Sequence, residues 1–393
     1  YTLWHTLSLH DALPIWFGCG VSRNGWGPQP PGPLDSAMDI LIVKLSAIGD
    51  VVHSLPLLEV LKDRFPRARI DWVAEEPADR IVEAHPGIRR VLVSPRKSLF
   101  NRLLKKRNWP FMAQDVRRFL KVLRDREYDL VIDLQGLLKS GILTGLTRGK
   151  RKIGLSNSRE GARLFLNEPP VRVDDDHHAI DRYLEVAWHL GCPPIKWEGR
   201  IPVEDEDKQR LGLALGRYGI DSQPLIAVNP MAKWKSKLWA PDRFAALADR
   251  IEDEWPCEVI FTGSHEDWEV VDRIAAMTSA RVHNLAGKLS LKELAGLYER
   301  CRLLISTDTG PMHVAAAMGC PVVALFGPTA PWRTGPYGAG HRVVRDPIVC
   351  SPCFKKHCSH MTCMKEISPD QVFKNVKRVF ERSAQRLPSE ETG

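Results

Sequence analysis

From Met38 onward, short apolar runs alternate with apolar residues at helical spacing, and the alternation runs through twice. Asp39–Val43 is strand-like, and Val51–Phe65 then carries Leu55, Leu58, Leu61 and Phe65 on one helical face before Pro66 stops it. Further strands are expected at Ile70–Ala74, Arg90–Val93 and Leu130–Leu134, and helices at Phe111–Arg126 and Ile180–Leu190. A Pro- and charge-rich stretch, Pro193–Asp207, interrupts the pattern. It restarts with expected strands at Leu225–Asn229, Glu258–Thr262, Leu303–Ser306 and Val322–Phe326. Between and after them come helices at Pro241–Trp255, Glu266–Thr278, Ser290–Cys301, Pro311–Met318 and Pro369–Arg386. Strands that alternate with helices pair in parallel, because each crossover helix returns the chain to the same end of the sheet. The predicted class is therefore α/β, with two doubly wound, Rossmann-like domains facing a central cleft. Their spans are 38–202 and 203–367, followed by a C-terminal helix and tail at 368–393 that is free to pack back on the first domain. Ligands of such sheets bind beyond the carboxyl ends of the strands, so residues just after strands are the functional candidates.

Residues 1–37 differ in kind. They hold Trp4, Trp16 and Trp26, a Pro/Gly run from Gly27 to Pro33 and no clear period. The basic start of a signal peptide is lacking. Thr6–Ile15 reads TLSLHDALPI, the translation of a common sequencing-adapter string, so the segment is read as an artefact or a disordered tail. The whole chain has 56 Lys and Arg against 48 Asp and Glu, a net charge of +8, which suits an anionic partner. No apolar run approaches the ~18–20 residues of a membrane span. Nine cysteines in 393 residues make no disulfide framework, and a reducing cytosol is the expected compartment.

Leu303–Ser306 runs straight into Thr307-Asp308-Thr309-Gly310-Pro311-Met312-His313. A strand leading to a helix start, with Gly310 for close approach and a Thr309 hydroxyl, suits a phosphate. Asp308 is better placed to orient neighbours or to accept from a sugar hydroxyl, and a capped helix without ligand is the plainer alternative. Lys44-Leu45-Ser46-Ala47-Ile48-Gly49-Asp50 is again strand, small-residue turn and helix. It is no GxGxxG motif, and its Asp50 is either an ordinary acid at a helix start or a carboxylate able to take a proton from an acceptor hydroxyl. Between a strand and a helix, Lys233, Lys235 and Lys237 can neutralise a diphosphate leaving group in place of a metal, or simply form a solvated basic loop.

The blocks Lys44–Pro56, Asp133–Ser140, Lys237–Pro241 and Asp308–Thr329 resemble glycosyltransferase family 9, and within it the ADP-heptose:lipopolysaccharide heptosyltransferases of type I. The resemblance implies the GT-B architecture, with the acceptor in the first domain and the nucleotide-sugar in the second. It implies inverting, metal-independent transfer of L-glycero-D-manno-heptose from ADP-heptose to a Kdo residue of the lipopolysaccharide inner core, with no cofactor required. Asp50 then matches the general base, Lys237 the lysine on the ADP phosphates, and Glu266 the acid on the adenosine ribose. Asp308, Thr309, Gly310 and His313 match the donor block, and Ser46, Gly49, Gln135 and Lys139 fall on the acceptor side. The segment Asn229–Met231 departs from the hydroxyl-rich family pattern, which leaves the choice among Lys233, Lys235 and Lys237 open.

Arg96–Arg107 has six basic residues and no acid, and Arg117, Arg118, Lys121, Arg124 and Arg126 follow. With few aromatics to stack on bases, the stretch fits an anionic lipid surface better than nucleic acid. The expected partners are a nucleotide-sugar donor, a Kdo-lipid A acceptor and the inner face of the inner membrane. Asp174–Asp176 looks like a DxD metal site, but no clear strand leads into it and it reads as a solvated turn. Cys350, Cys353, Cys358 and Cys363 have ligand-like density without a standard two-knuckle spacing, and are read as a structural metal site or as packed thiols. The competing functions are a family-9 transferase with another donor or acceptor, and a basic metal-binding or membrane-surface protein.

Overall fold

The structure, a computed structural model, describes residues 37–95, 109–220 and 224–384. The expected artefact or tail, up to residue 36, and the basic run Arg96–Arg107 lie outside the described residues. The first half contains β1 (Asp39–Val43), α1 (Ile48–Val52), α2 (Leu55–Arg64), β2 (Arg69–Ala74), α3 (Asp79–Val82) and β3 (Arg90–Val93). It continues with α4 (Trp109–Leu123), β4 (Glu127–Asp133), α5 (Leu138–Leu146), β5 (Arg148–Gly154) and α6 (Ala179–His189). Its strands are all parallel, in the order β3-β2-β1-β4-β5.

After an irregular connection, the second half has α7 (Asp205–Arg217), β6 (Leu225–Asn229), α8 (Pro241–Glu254), β7 (Glu258–Phe261), α9 (Trp268–Ala275) and β8 (Val282–Asn284). Then come α10 (Leu291–Arg300), β9 (Cys301–Thr307), α11 (Gly310–Ala317), β10 (Val322–Leu325), α12 (Pro331–Thr334), β11 (Arg342–Val344), α13 (Thr362–Lys365) and α14 (Pro369–Ala384). Its parallel sheet has the order β11-β10-β9-β6-β7-β8. In each sheet the strand order reverses beside the first strand, between β1 and β4 and between β6 and β9. Those two reversals are where a doubly wound sheet opens a crevice for ligands.

The central strands are apolar because helices cover both faces. Ile40–Val43 and Leu225–Val228 are all buried. The helix expected over Val51–Phe65 divides into α1 and α2 at His53–Ser54. Pro56 has no N–H to continue the first helix and instead opens the second, while Ser54 Oγ donates to Val51 O at 2.8 Å. Strand β5 carries no apolar alternation, since Arg148, Lys150, Arg151 and Lys152 fill it. It is an edge strand whose charges are matched locally, Lys150 to Asp129 and Arg151 to Glu168.

One apolar core runs from the first sheet through α2 and α6 into α7, α10 and α11 of the second half, so the two domains share buried surface. The C-terminal helix corrects an expectation. It does not fold back on the first domain but lies on the second sheet, where Val372, Val376, Val379 and Phe380 pack with Leu303, Val323 and Val344. Trp239 Nε1 donates to Ile367 O at 2.9 Å and ties the approach to α14 to the loop after β6.

Candidate active site

The reversal beside β1 is built by two loops. Asp133, buried at the end of β4, accepts from the backbone of Gln135 and Gly136 at 2.9 and 3.0 Å and from Ser140 Oγ at 2.9 Å. This turn aims Gln135 Oε1 at the Leu45 and Ser46 amides, 3.2 and 3.0 Å away, which fixes the loop that leads to α1. Asp50 stands in the first turn of α1, and its Oδ2 accepts from Ala47 N at 3.1 Å. Its Oδ1 has no partner among the described residues and is left for the cavity of about 280 Å³ that Asp50 lines. Lys44, Arg159 and Arg182 line the same cavity, with Gln135, Asn157 and Tyr183. Lys44 is buried, and its Nζ donates to Tyr183 Oη at 2.7 Å and Leu134 O at 3.1 Å. Burial opposes its charge, but Tyr183, Asp50 and Asp133 outweigh it and hold the ammonium above its ordinary pKa. Asp175 accepts from Asn157 and Arg182 at 2.7 and 3.3 Å and so braces two of the lining residues. The cavity is polar and cationic, with one carboxylate at its wall.

The reversal beside β6 is built around a lysine and a helix start. Lys237 Nζ lies 2.6 Å from Asp308 Oδ2, which also accepts from the Thr329 hydroxyl. The lysine crosses 4.6 Å above the Trp234 ring, which holds its stem in place. Lys233 and Lys235 on the same loop are exposed. Thr309 is the N-cap of α11 and makes no side-chain cap bond to the helix start. Glu266 is exposed in the turn that follows β7, the strand next to β6. The loop around Lys237 is held from behind, where Ser236 Oγ donates to Lys355 O at 2.7 Å.

The two half-sites meet through α1 and α11. A Cβ on Gly49 would stand 2.4 Å from His313 Cδ2, and one on Gly310 would be 3.3 Å from Ile48 Cβ. At Gly49 a side chain would force His313 to move, and at Gly310 it would be a tight contact. His53 Nε2 reaches His313 Nδ1 at 2.9 Å across the junction. The helix that carries Asp50 is thus packed directly against the helix that Thr309 and Gly310 begin.

Residues 116–364 match the family model for glycosyltransferase family 9 (heptosyltransferase). The chain belongs to this family. It is similar to lipopolysaccharide heptosyltransferase 1 of Pseudomonas aeruginosa, 33% identical over 343 residues that cover 82% of this chain and 88% of that protein. Among solved structures, the family 9 glycosyltransferase of Veillonella parvula superposes with a TM-score of 0.76 at 26% identity, covering 88% of this chain and 98% of that one. Escherichia coli heptosyltransferase WaaC with ADP superposes with a TM-score of 0.70 at 26% identity, over 87% of this chain and 100% of that one. The two parallel sheets are the GT-B architecture, and the protein is an enzyme of the glycosyltransferase class.

In this family 9 glycosyltransferase the expected donor residues Lys237, Asp308, Thr309, Gly310 and His313 gather around one helix start, with Glu266 at the edge. The expected acceptor set is redistributed. Gln135 lines the Asp50 cavity, but Ser46 and Lys139 are tied to each other at 3.0 Å, with Lys139 also 3.3 Å from Glu75. Gly49 faces His313 rather than the cavity, because its missing side chain is what lets the domains touch. Lys44, Arg159, Arg182 and Tyr183, which the sequence analysis did not single out, line the Asp50 cavity. Asp174–Asp176 form an exposed turn, with Asp176 N donating to Asp174 Oδ1 at 2.8 Å. Of the four cysteines at 350–363, Cys350, Cys353 and Cys358 lie near enough to Cys363 to join burial in raising its thiol pKa. Cys350 is exposed, Cys363 is turned inward against Gly327, and among the described residues no group of three or more His, Cys, Asp or Glu is placed to hold a metal ion.

Proposed function

We propose that this glycosyltransferase moves L-glycero-D-manno-heptose from ADP-heptose to a Kdo residue of the lipopolysaccharide inner core by a single, metal-independent displacement. The observation that carries the reading is the pair of half-sites joined through α1 and α11. A carboxylate with an unpartnered oxygen, Asp50, lines a cationic cavity in one domain, and a lysine and a helix start stand together in the other. Kdo is an acidic sugar, and Lys44, Arg159 and Arg182 suit its carboxylate. The acceptor hydroxyl attacks the anomeric carbon as Asp50 Oδ1 takes its proton. The bond from that carbon to the β-phosphate oxygen breaks, and ADP leaves with its charge met by Lys237 and the α11 N-terminus. Attack from the face opposite the leaving group inverts the anomeric centre.

The names of the relatives support the same reading, since the P. aeruginosa protein is a lipopolysaccharide heptosyltransferase and the solved E. coli heptosyltransferase holds ADP. Among the described residues no helix is long and apolar enough to cross a membrane. We place the enzyme at the cytoplasmic face of the inner membrane, held there by charge, for α4 and the turn after it expose Arg117, Arg118, Lys121, Arg124 and Arg126.

The test is product analysis with ADP-heptose and a Kdo-lipid A acceptor, reading ADP release and the mass of the glycosylated lipid. Asp50→Asn keeps the shape but cannot take the proton, and lowers kcat by about 100-fold or more while leaving ADP-heptose binding unchanged. A full rate in Asp50→Asn removes the carboxylate from the mechanism. Consumption of a different nucleotide-sugar with ADP-heptose untouched overturns the donor assignment.

A further inference from the structure

Three imidazoles meet at the domain junction. His53 ends α1, His178 caps the start of α6 and His313 lies in α11; all are buried, with exposures of 3%, 9% and 7%. The His53 and His313 rings meet edge to face with centroids 4.2 Å apart, and His178 stands 5.1 Å from His53. Their hydrogen bonds fix the protons. His178 Nδ1 accepts from Ile180 N at 3.2 Å, so its proton is on Nε2, which donates to Gly335 O of the second domain at 3.0 Å. His53 Nδ1 is buried without a partner. A bare acceptor costs less there than an unpaired N–H, so His53 carries its proton on Nε2 and donates it to His313 Nδ1 across 2.9 Å.

We propose that His53 is a positioning residue whose hydrogen bond to His313 latches the first domain onto the second, and that the latch gives way when both rings are protonated. Asp50 lies one turn before His53 on α1, and Thr309–Gly310 lie one turn before His313. The bond therefore sets where the base stands relative to the donor site, and its consequence for turnover rests on the function proposed above. Two protonated rings would turn N–H toward N–H at 2.9 Å and push the helices apart.

The surroundings reinforce this. Burial drives His53 well below the usual imidazole range, and His313, His178, Lys44 and Arg182 push the same way. Burial also takes His313 down to about 4, against Asp308 and Asp50, which raise it, and with His178 and Lys237, which lower it. His178 is lowered by burial and Arg182, against its bond to Gly335 and the charge of Asp181. Tyr337, which packs on His178 and donates to Asp181 Oδ1, and Glu198, which lines one small cavity with His53, His313 and Tyr337, are further titratable neighbours. Opening exposes the rings and returns them to a pKa near ~6.5, so protons favour the open form. Closure is undiminished above that pH and weakens below it, because only the open form takes up protons until about pH 4. At pH 5.5 the closure equilibrium falls about tenfold for each ring.

The experiment uses the full chain and two variants. His53→Phe fills the space without an N–H, and His53→Gln keeps a donor near the Nε2 position but does not titrate. At pH 8 the Phe variant loses about tenfold or more in kcat with the KM for ADP-heptose little changed, and the Gln variant recovers most of that loss. Between pH 8 and 5 the wild-type rate falls more steeply than that of His53→Gln. Small-angle scattering without substrate shows the wild type expanding over that range and His53→Gln expanding less. A wild-type kcat in His53→Phe, an unaltered pH slope in His53→Gln, or scattering of the wild type that ignores pH each overturns the latch. If the Phe variant fails to fold, the Gln comparison still decides. The scattering needs no substrate, so a wrong donor or acceptor would leave it intact and is told apart from a failed latch.

Discussion

Replacing Lys237 by Met separates two jobs that the structure gives one ammonium. Its Nζ is 2.6 Å from Asp308 Oδ2, and the two side chains are only 15% and 5% exposed. Without the lysine, Asp308 keeps a single side-chain donor, the Thr329 hydroxyl. Breaking such a buried pair costs about 3–5 kcal/mol, and the residual access of Lys237 to water puts the loss near the lower end, about 3. The lost charge on the diphosphate is worth about 1.5–3 kcal/mol, which is roughly 10–150-fold in ADP affinity. The double variant Lys237→Met with Asp308→Asn discriminates between the jobs, because a neutral amide no longer needs the counter-ion. Urea unfolding should show most of the stability restored in the double variant. Calorimetric titration should show ADP binding still weak and adenosine binding normal in both. Wild-type ADP affinity in the double variant would refute the reasoning, since the lysine would then serve only to neutralise Asp308. Lys233→Ala and Lys235→Ala, on exposed side chains, should change ADP affinity little; a larger loss in either would move the phosphate contact to that residue.

Transfer activity should survive EDTA, because Lys237 and the α11 start supply the positive charge a metal would give; loss on chelation with recovery on adding Mg²⁺ would overturn the lysine-for-metal assignment. Asp71 is fully buried and accepts from Arg89 at 2.8 and 2.9 Å, Arg90 at 2.7 Å and the Tyr128 hydroxyl at 2.8 Å, so Asp71→Ala should cost about 3–5 kcal/mol in chemical unfolding. Burial pushes that carboxyl up, but the bonds from Arg89, Arg90 and Tyr128 win and hold it below its ordinary range. Its stabilisation is therefore present above the unfolded pKa of about 3.9 and lost as pH falls through the folded value, and acid unfolding of Asp71→Asn should show a shallower pH slope than the wild type.

The fold was legible wherever one residue's chemistry decides the local backbone. Pro241 opens α8, Ser290 accepts from Glu293 N to start α10, and the apolar runs of β1, β6, β9 and β10 are strands buried on both faces. It was illegible where context decides. Strand β5 looks like a basic loop, because an edge strand needs neighbours and counter-charges rather than apolar alternation. Helix α14 has an apolar face, yet nothing in its residues says which sheet will receive it. That was settled by the complementary surface of Leu303, Val323 and Val344.

The same distinction explains why the donor half of the site was easier to read than the acceptor half. A diphosphate is met by a helix start and a lysine, and Asp308–His313 is contiguous in the chain, so one short block carries most of its binding chemistry. The cations of the Asp50 cavity, proposed to meet an acidic sugar, are collected by the fold from separate elements: Lys44 just after β1, Arg159 on the loop after β5 and Arg182 on α6. None of these positions is marked by its sequence neighbours. Of the other residues expected on the acceptor side, Ser46 and Lys139 bond to each other and Gly49 meets the junction. Blocks of sequence beside Asp50 therefore do two kinds of work, chemistry at the carboxylate and contact between domains at Gly49 and His53. In the proposed inverting displacement the two are joined, because it requires base and leaving group on opposite sides of one carbon. A base in one domain and a diphosphate site in the other can meet that requirement only when the junction between α1 and α11 is closed.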